Sequence, residues 1–161
     1  MPFIKSIELK LAKRFNHWDL RLVFLVFTLF HLLVLGILGA IVDFIDTRFI
    51  DNPISELPKL AAFILGVILA PIIETWIYLY LLFEMGKRFK INDEYLFFVS
   101  CLLFGISHNY NPVYMIVMLI AGAVLAMAYL YVRNRSTVRI AFIFVTLMHA
   151  LNNLLAFLTN D

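Results

Sequence analysis

Long apolar runs dominate this chain and leave it very few folds. Leu22 to Val42, "LVFLVFTLFHLLVLGILGAIV", carries no charge at all, and Leu60 to Phe83 carries one. A run of about 20 apolar residues is the length of a helix that crosses a bilayer. Hydrocarbon offers the backbone no hydrogen-bond partners, so such a run must satisfy its own and folds as a helix. The runs lie at Leu22 to Val42, Leu60 to Phe83, Tyr95 to His108, Val113 to Val132 and Val138 to Leu158. The third is short and is followed by "NYNP", where Pro112 marks a turn. The expectation is an all-α polytopic bundle of about five transmembrane helices.

Only 15% of the 161 residues are charged, against about 25% in soluble domains. That excludes a soluble domain of useful size, and residues 22–161 read as one transmembrane domain. Residues 1–21 differ: Ile4, Ile7, Leu11, Phe15 and Trp18 recur at steps of three and four among Lys5, Lys10, Lys13 and Arg14. This pattern predicts an amphipathic helix lying on the membrane surface. The first apolar run is too long for a signal-peptide core and lacks a small-residue cleavage site, so it reads as a retained span. The connection "DFIDTRFIDNPISELPK" is acidic, contains two prolines and reads as a loop. The lone Cys101 sits in an apolar run as a packing residue and excludes a disulfide framework. His17 reads as interfacial and His31 as structural.

Five spans divide the basic residues unevenly. Of the 13 Lys and Arg, only Arg48 and Lys59 fall on the second side. Basic loops stay in the cytoplasm, which predicts a cytoplasmic N-terminus and a C-terminus on the opposite side. Small size and the lack of an organelle signal favour a bacterial cytoplasmic membrane. Lipid is the implied surrounding, and nucleic acid is not an expected partner.

Against this background, Glu74 in "APIIETWIYLYLLF" is conspicuous. An ionisable group at the bilayer centre costs about 2.5–3.5 kcal/mol on insertion scales, and it is retained where it faces a packed or hydrated interior. His108 ends the third run, and His149, Asn152 and Asn153 lie in the fifth. At about 1.5 Å of rise per residue, Glu74, His108 and His149 lie roughly 14, 20 and 16 Å from the cytoplasmic ends of their helices. They can therefore meet. His149 and Asn153 are four apart and share a helix face, with Asn152 at a wider angle, so Asn153 is the preferred partner. Pro71 lacks an N–H and should free the carbonyl of Val67, bending the helix one turn before Glu74. Ala62, Gly66 and Ala70 recur every fourth residue and favour close helix packing. Tyr78, one turn past Glu74, is placed to line the same cavity. A single intramembrane histidine is as readily a structural hydrogen-bonding group as a functional one, but one Glu, two His and an Asn at one depth are too costly to serve only as helix glue.

These residues resemble the CPBP family, the membrane-embedded CAAX proteases and bacteriocin-processing enzymes also called Abi proteins. The family's first motif, a Glu-Glu pair followed after three residues by Arg, is matched by "ETWIYL" from Glu74 to Leu79. Its second, Phe and His with three residues between them, is matched by "FGISH" from Phe104 to His108, and its third, His and Asn or Asp with three residues between them, by "HALNN" from His149 to Asn153. Thr75 stands where the second glutamate would be, and Leu79 stands where the arginine would be. The two positions are i and i+4 on one helix, the spacing of an ion pair, so their joint replacement leaves no orphan charge.

The resemblance implies a glutamic intramembrane protease acting on a membrane-associated peptide or protein, with Glu74, His108, His149 and Asn153 as catalytic residues and no cofactor. Glu74 and His108 would activate water, and His149 and Asn153 would stabilise the oxyanion. Zinc is the alternative, since Glu and two His are competent ligands, but the His-Glu-x-x-His spacing of helix-borne zinc proteases is missing. The departures at Thr75 and Leu79 keep open a non-catalytic role in bacteriocin self-immunity or as a scaffold. A proton-coupled transporter is a weaker option, because the chain shows no internal repeat.

Overall fold

The computed structural model describes residues 6, 19–45 and 57–159. Five helices account for nearly all of the two longer stretches: α1 (Leu20–Ile45), α2 (Lys59–Arg88), α3 (Asp93–Ser107), α4 (Pro112–Arg135) and α5 (Val138–Thr159). There is no strand among the described residues. Most of the expected surface helix over residues 1–21, and of the acidic connection after α1, lies outside the described residues.

Capping residues set the starts. Asp19 accepts from the N–H of Arg21 ahead of α1, and Asn92 accepts from that of Glu94 ahead of α3. Asn111 does the same for Tyr114, with Pro112 in the first turn of α4 where its missing N–H costs nothing. Thr137 caps α5 through the N–H of Ile140.

Four helices, α1, α2, α4 and α5, are long and apolar enough to cross a membrane. The third expected span, α3, has 15 residues and so rises only about 22 Å, less than the ~30 Å of a hydrocarbon core. Large apolar side chains face outward in steps of four, for example Leu25, Leu29, Leu33, Ile37 and Ile41 on α1 and Ile64, Ile68 and Ile72 on α2. In water such stripes would aggregate; in a bilayer they are the lipid-facing surface. The chain is a multi-pass membrane protein.

The core forms around α4. Leu125, Tyr129, Leu130 and Val132 are buried there together with Phe83, Val145 and Met148. The antiparallel α3 and α4 approach closely at two glycines. A Cβ on Gly122 would come 2.9 Å from Cβ of Phe104, and one on Gly105 would come 3.0 Å from the Met115 carbonyl oxygen. At the end of the bundle rich in Lys and Arg, Arg133 pairs with Asp93 and lies over the ring of Phe83, joining α2, α3 and α4.

Helix α2 is irregular around its proline. It widens to π-helical turns over Phe63–Leu69 and again over Thr75–Leu81, on either side of Glu74. It packs antiparallel to α5, with Phe63 against Phe157 and Tyr80 against Phe142.

Candidate active site

Three of the four expected polar residues converge. The carboxylate oxygen Oε2 of Glu74 lies 3.9 Å from Nε2 of His108 and 3.7 Å from Nε2 of His149. One oxygen thus faces two imidazole nitrogens, each just beyond direct hydrogen-bond reach. Glu74 Oε2 and His149 Nδ1 are buried and have no protein hydrogen-bond partner. Uncompensated polar burial of this kind is costly and points to function.

Helix geometry holds His108. Because α3 stops short, its last carbonyls lack N–H partners. His108 Nδ1 lies 2.7 Å from the carbonyl oxygen of Phe104, and Ser107 Oγ donates to the same oxygen at 2.8 Å. A carbonyl only accepts, so the His108 hydrogen stands on Nδ1, and in the neutral ring the Nε2 lone pair faces Glu74. The Phe104 ring stacks on His108 with centroids 4.7 Å apart and reaches His149 at 5.8 Å. Tyr110 and Tyr114 complete an aromatic surround for His108. Neither tyrosine stood out in the sequence, since nothing short of the fold brings the α3–α4 turn back over that ring.

Asn153 has a different partner. Its amide nitrogen donates to the carbonyl of Gly66, 2.8 Å away. The reason lies in α2. Around Leu65 the ladder runs with π spacing, the N–H of Ala70 bonding the carbonyl of Leu65, five residues back. In that spacing the N–H that Pro71 lacks would have served Gly66, and Asn153 supplies the missing donor. The expected orphan at Val67 assumed α-helical spacing; widening the turn shifts it by one residue. Of the adjacent asparagines, it is Asn153 that ties α5 to α2.

Thr75 and Leu79 are buried, and with Ser100, Phe104, Gly122 and Leu125 they line a crevice beside Glu74 and His149 that is too narrow for a water molecule. Tyr78 lies outside this crevice: its ring packs edge-on against Phe104 and its carbonyl accepts from Ser100 Oγ. Among the described residues, no group of three His, Cys, Asp or Glu side chains has the arrangement to hold a metal ion.

A family model described as "Rce1-like: Type II CAAX prenyl endopeptidase Rce1-like" matches residues 56–155. That range takes in α2 to α5 apart from the last residues of α5, with Glu74, His108, His149 and Asn153 inside it and α1 outside it. No curated protein and no solved structure gives a significant match.

Proposed function

The chain belongs to the Rce1-like family of type II CAAX prenyl endopeptidases, and from that premise we propose that it is an intramembrane endopeptidase whose catalytic groups are Glu74, His108 and His149. The observation that carries the reading is the approach of two imidazole Nε2 atoms to a single carboxylate oxygen, at 3.9 and 3.7 Å. The substrate is a membrane-associated peptide or protein. The family's description as CAAX prenyl endopeptidases makes a prenylated CAAX peptide the first probe.

The chemistry follows from which atoms accept and which donate. Glu74 Oε2 and the bare Nε2 of His108 both accept, so a water between them donates one hydrogen to each and turns its lone pair toward the peptide carbonyl. The water oxygen bonds to the carbonyl carbon, and its proton passes to Glu74. The carbonyl oxygen becomes an oxyanion, which His149 stabilises by donating from Nε2 in a site largely closed to water. The C–N bond then breaks, and Glu74 returns the proton to the leaving nitrogen. A carboxylic acid and an amine result, with Glu74 ionised as at the start. Asn153 acts through His149, holding α5 against α2 at the Gly66 carbonyl. No step requires a metal, so chelators leave turnover unchanged. The end of the bundle carrying Lys87, Arg88, Arg133, Arg135 and Arg139 is read as facing the cytoplasm, with the N-terminus on that side of a bacterial cytoplasmic membrane.

The test is cleavage of a prenylated CAAX peptide by the purified full chain in lipid. Glu74→Gln abolishes it while the helical circular dichroism stays that of the wild type; full turnover by this variant removes the proteolytic reading. One observation favours a second reading, a non-catalytic role in self-immunity: Thr75 and Leu79 stand in place of the family's second Glu and its Arg. An immunity phenotype that survives Glu74→Ala would establish that role instead.

A further inference from the structure

Helix α1 lies outside the family match, yet it brings a histidine into the middle of the bundle. Phe24, Thr28, His31 and Leu35 recur at steps of four, three and four, and Phe27, three residues after Phe24, lies on the same face. Phe24 packs edge-on to Phe144 with centroids 5.1 Å apart, and Phe27 packs against both Phe144 and Tyr131. Tyr131 is near the end of α4 and Phe144 near the start of α5, so α1 runs parallel to α5 and antiparallel to α4. His31 is one turn beyond Phe27, and Met148 and His149 are about one turn beyond Phe144. The parallel register therefore brings the two imidazoles to one depth in the bundle.

His31 is only 1% exposed, and neither ring nitrogen has a hydrogen-bond partner. His149 Nδ1, on the side of its ring away from Glu74, is equally unpartnered. For helix packing alone a leucine at 31 would avoid this cost.

We propose that His31 is a positioning residue of the active site, donating a ring N–H to Nδ1 of His149 through one bridging water. With Nδ1 held as an acceptor, the His149 hydrogen stands on Nε2, the atom that faces Glu74. His108 is held in the opposite tautomer by the Phe104 carbonyl. The two rings then offer the carboxylate one lone pair and one N–H, the asymmetry that water activation and oxyanion stabilisation require. The kinetic consequence rests on the reading of Glu74, His108 and His149 as catalytic; the tautomer assignment does not.

The experiment records long-range ¹H–¹⁵N spectra of the histidine rings in the full chain in detergent micelles, for wild type, His31→Leu and His31→Gln. Leucine suits the apolar surroundings but cannot donate; glutamine can. In wild type and His31→Gln, His149 shows the Nε2–H tautomer. In His31→Leu it shows a mixture, while His108 stays Nδ1–H throughout. With a prenylated CAAX peptide, His31→Leu lowers kcat about 10- to 100-fold with KM unchanged, and His31→Gln restores most of the loss. An unchanged His149 pattern in His31→Leu overturns the proposal whatever the kinetics. A shifted His149 tautomer, in a protein whose wild type cleaves nothing, upholds the role of His31 and overturns the protease reading instead.

Discussion

His108 Nδ1 and the Phe104 carbonyl oxygen stand 2.7 Å apart across a single turn of α3. The spacing of the Phe-Gly-Ile-Ser-His segment has a direct cause in this contact. A helix that ends short of the full bilayer thickness leaves carbonyls without N–H partners, and a ring four residues on is the nearest donor. The same contact fixes which imidazole nitrogen meets Glu74, so helix termination and site chemistry depend on one hydrogen bond.

His108→Ala should therefore lower kcat on a prenylated CAAX peptide by about 10²- to 10⁴-fold, the usual contribution of a general base or its partner. Ser107 Oγ still donates to the Phe104 carbonyl, so thermal unfolding in detergent should move little. A large stability loss with turnover intact would make His108 a structural cap.

The tie between Asn153 and Gly66 is tested by a double-mutant cycle with Pro71. Asn153→Ala removes the amide that meets the Gly66 carbonyl and should cost about 0.6 kcal/mol, the average for interhelical hydrogen bonds in a membrane, and at most about 1.7 kcal/mol. Pro71→Ala restores a backbone N–H that reaches the same oxygen in a π-spaced turn. In that background Asn153→Ala should cost measurably less, a non-additivity read from thermal unfolding of the four proteins. Strict additivity would separate Asn153 from the proline.

Helix positions were legible in the sequence because they follow from the lengths of apolar runs, and the start of α5 at Val138 agrees with the start of its apolar run. The meeting of Glu74, His108 and His149 was legible too, since helical rise converts position into depth. What depended on local departures from ideal geometry was not. The Gly66 partner of Asn153 requires a π-spaced turn, which no periodicity in "FILGVIL" announces. Tyr110 and Tyr114 gain their roles only when the α3–α4 turn folds back on His108. His31, read as structural, owes its interest to an interhelical register set by Phe24 and Phe27.

Thr75 and Leu79 make a prediction about the family's missing ion pair. Both are buried beside Ser100, Phe104 and Leu125. Thr75→Glu alone should destabilise the protein by about 3 kcal/mol, the cost of an unpaired intramembrane charge. Adding Leu79→Arg one turn away should recover part of that loss, because the pair then compensates itself. Thermal unfolding of the two single variants and the double variant checks the order.

The contact between Gly122 and Phe104 links packing to catalysis most directly. An added Cβ at Gly122 would lie 2.9 Å from Cβ and 3.1 Å from Cγ of Phe104, closer than side chains tolerate. The Phe104 ring cannot yield freely, because Tyr78, His108 and His149 pack around it. Gly122→Ala should cost about 1–3 kcal/mol of stability through overpacking and should also lower kcat by displacing both imidazoles from Glu74. Gly36→Ala is the control, since its Cβ would meet nothing within 4 Å. There the helix-favouring alanine should be neutral or stabilise by up to about 1 kcal/mol. Thermal unfolding and peptide cleavage, measured on both variants, separate general helix effects from the specific displacement. If Gly122→Ala cleaves at the wild-type rate, Phe104 does not position the histidines.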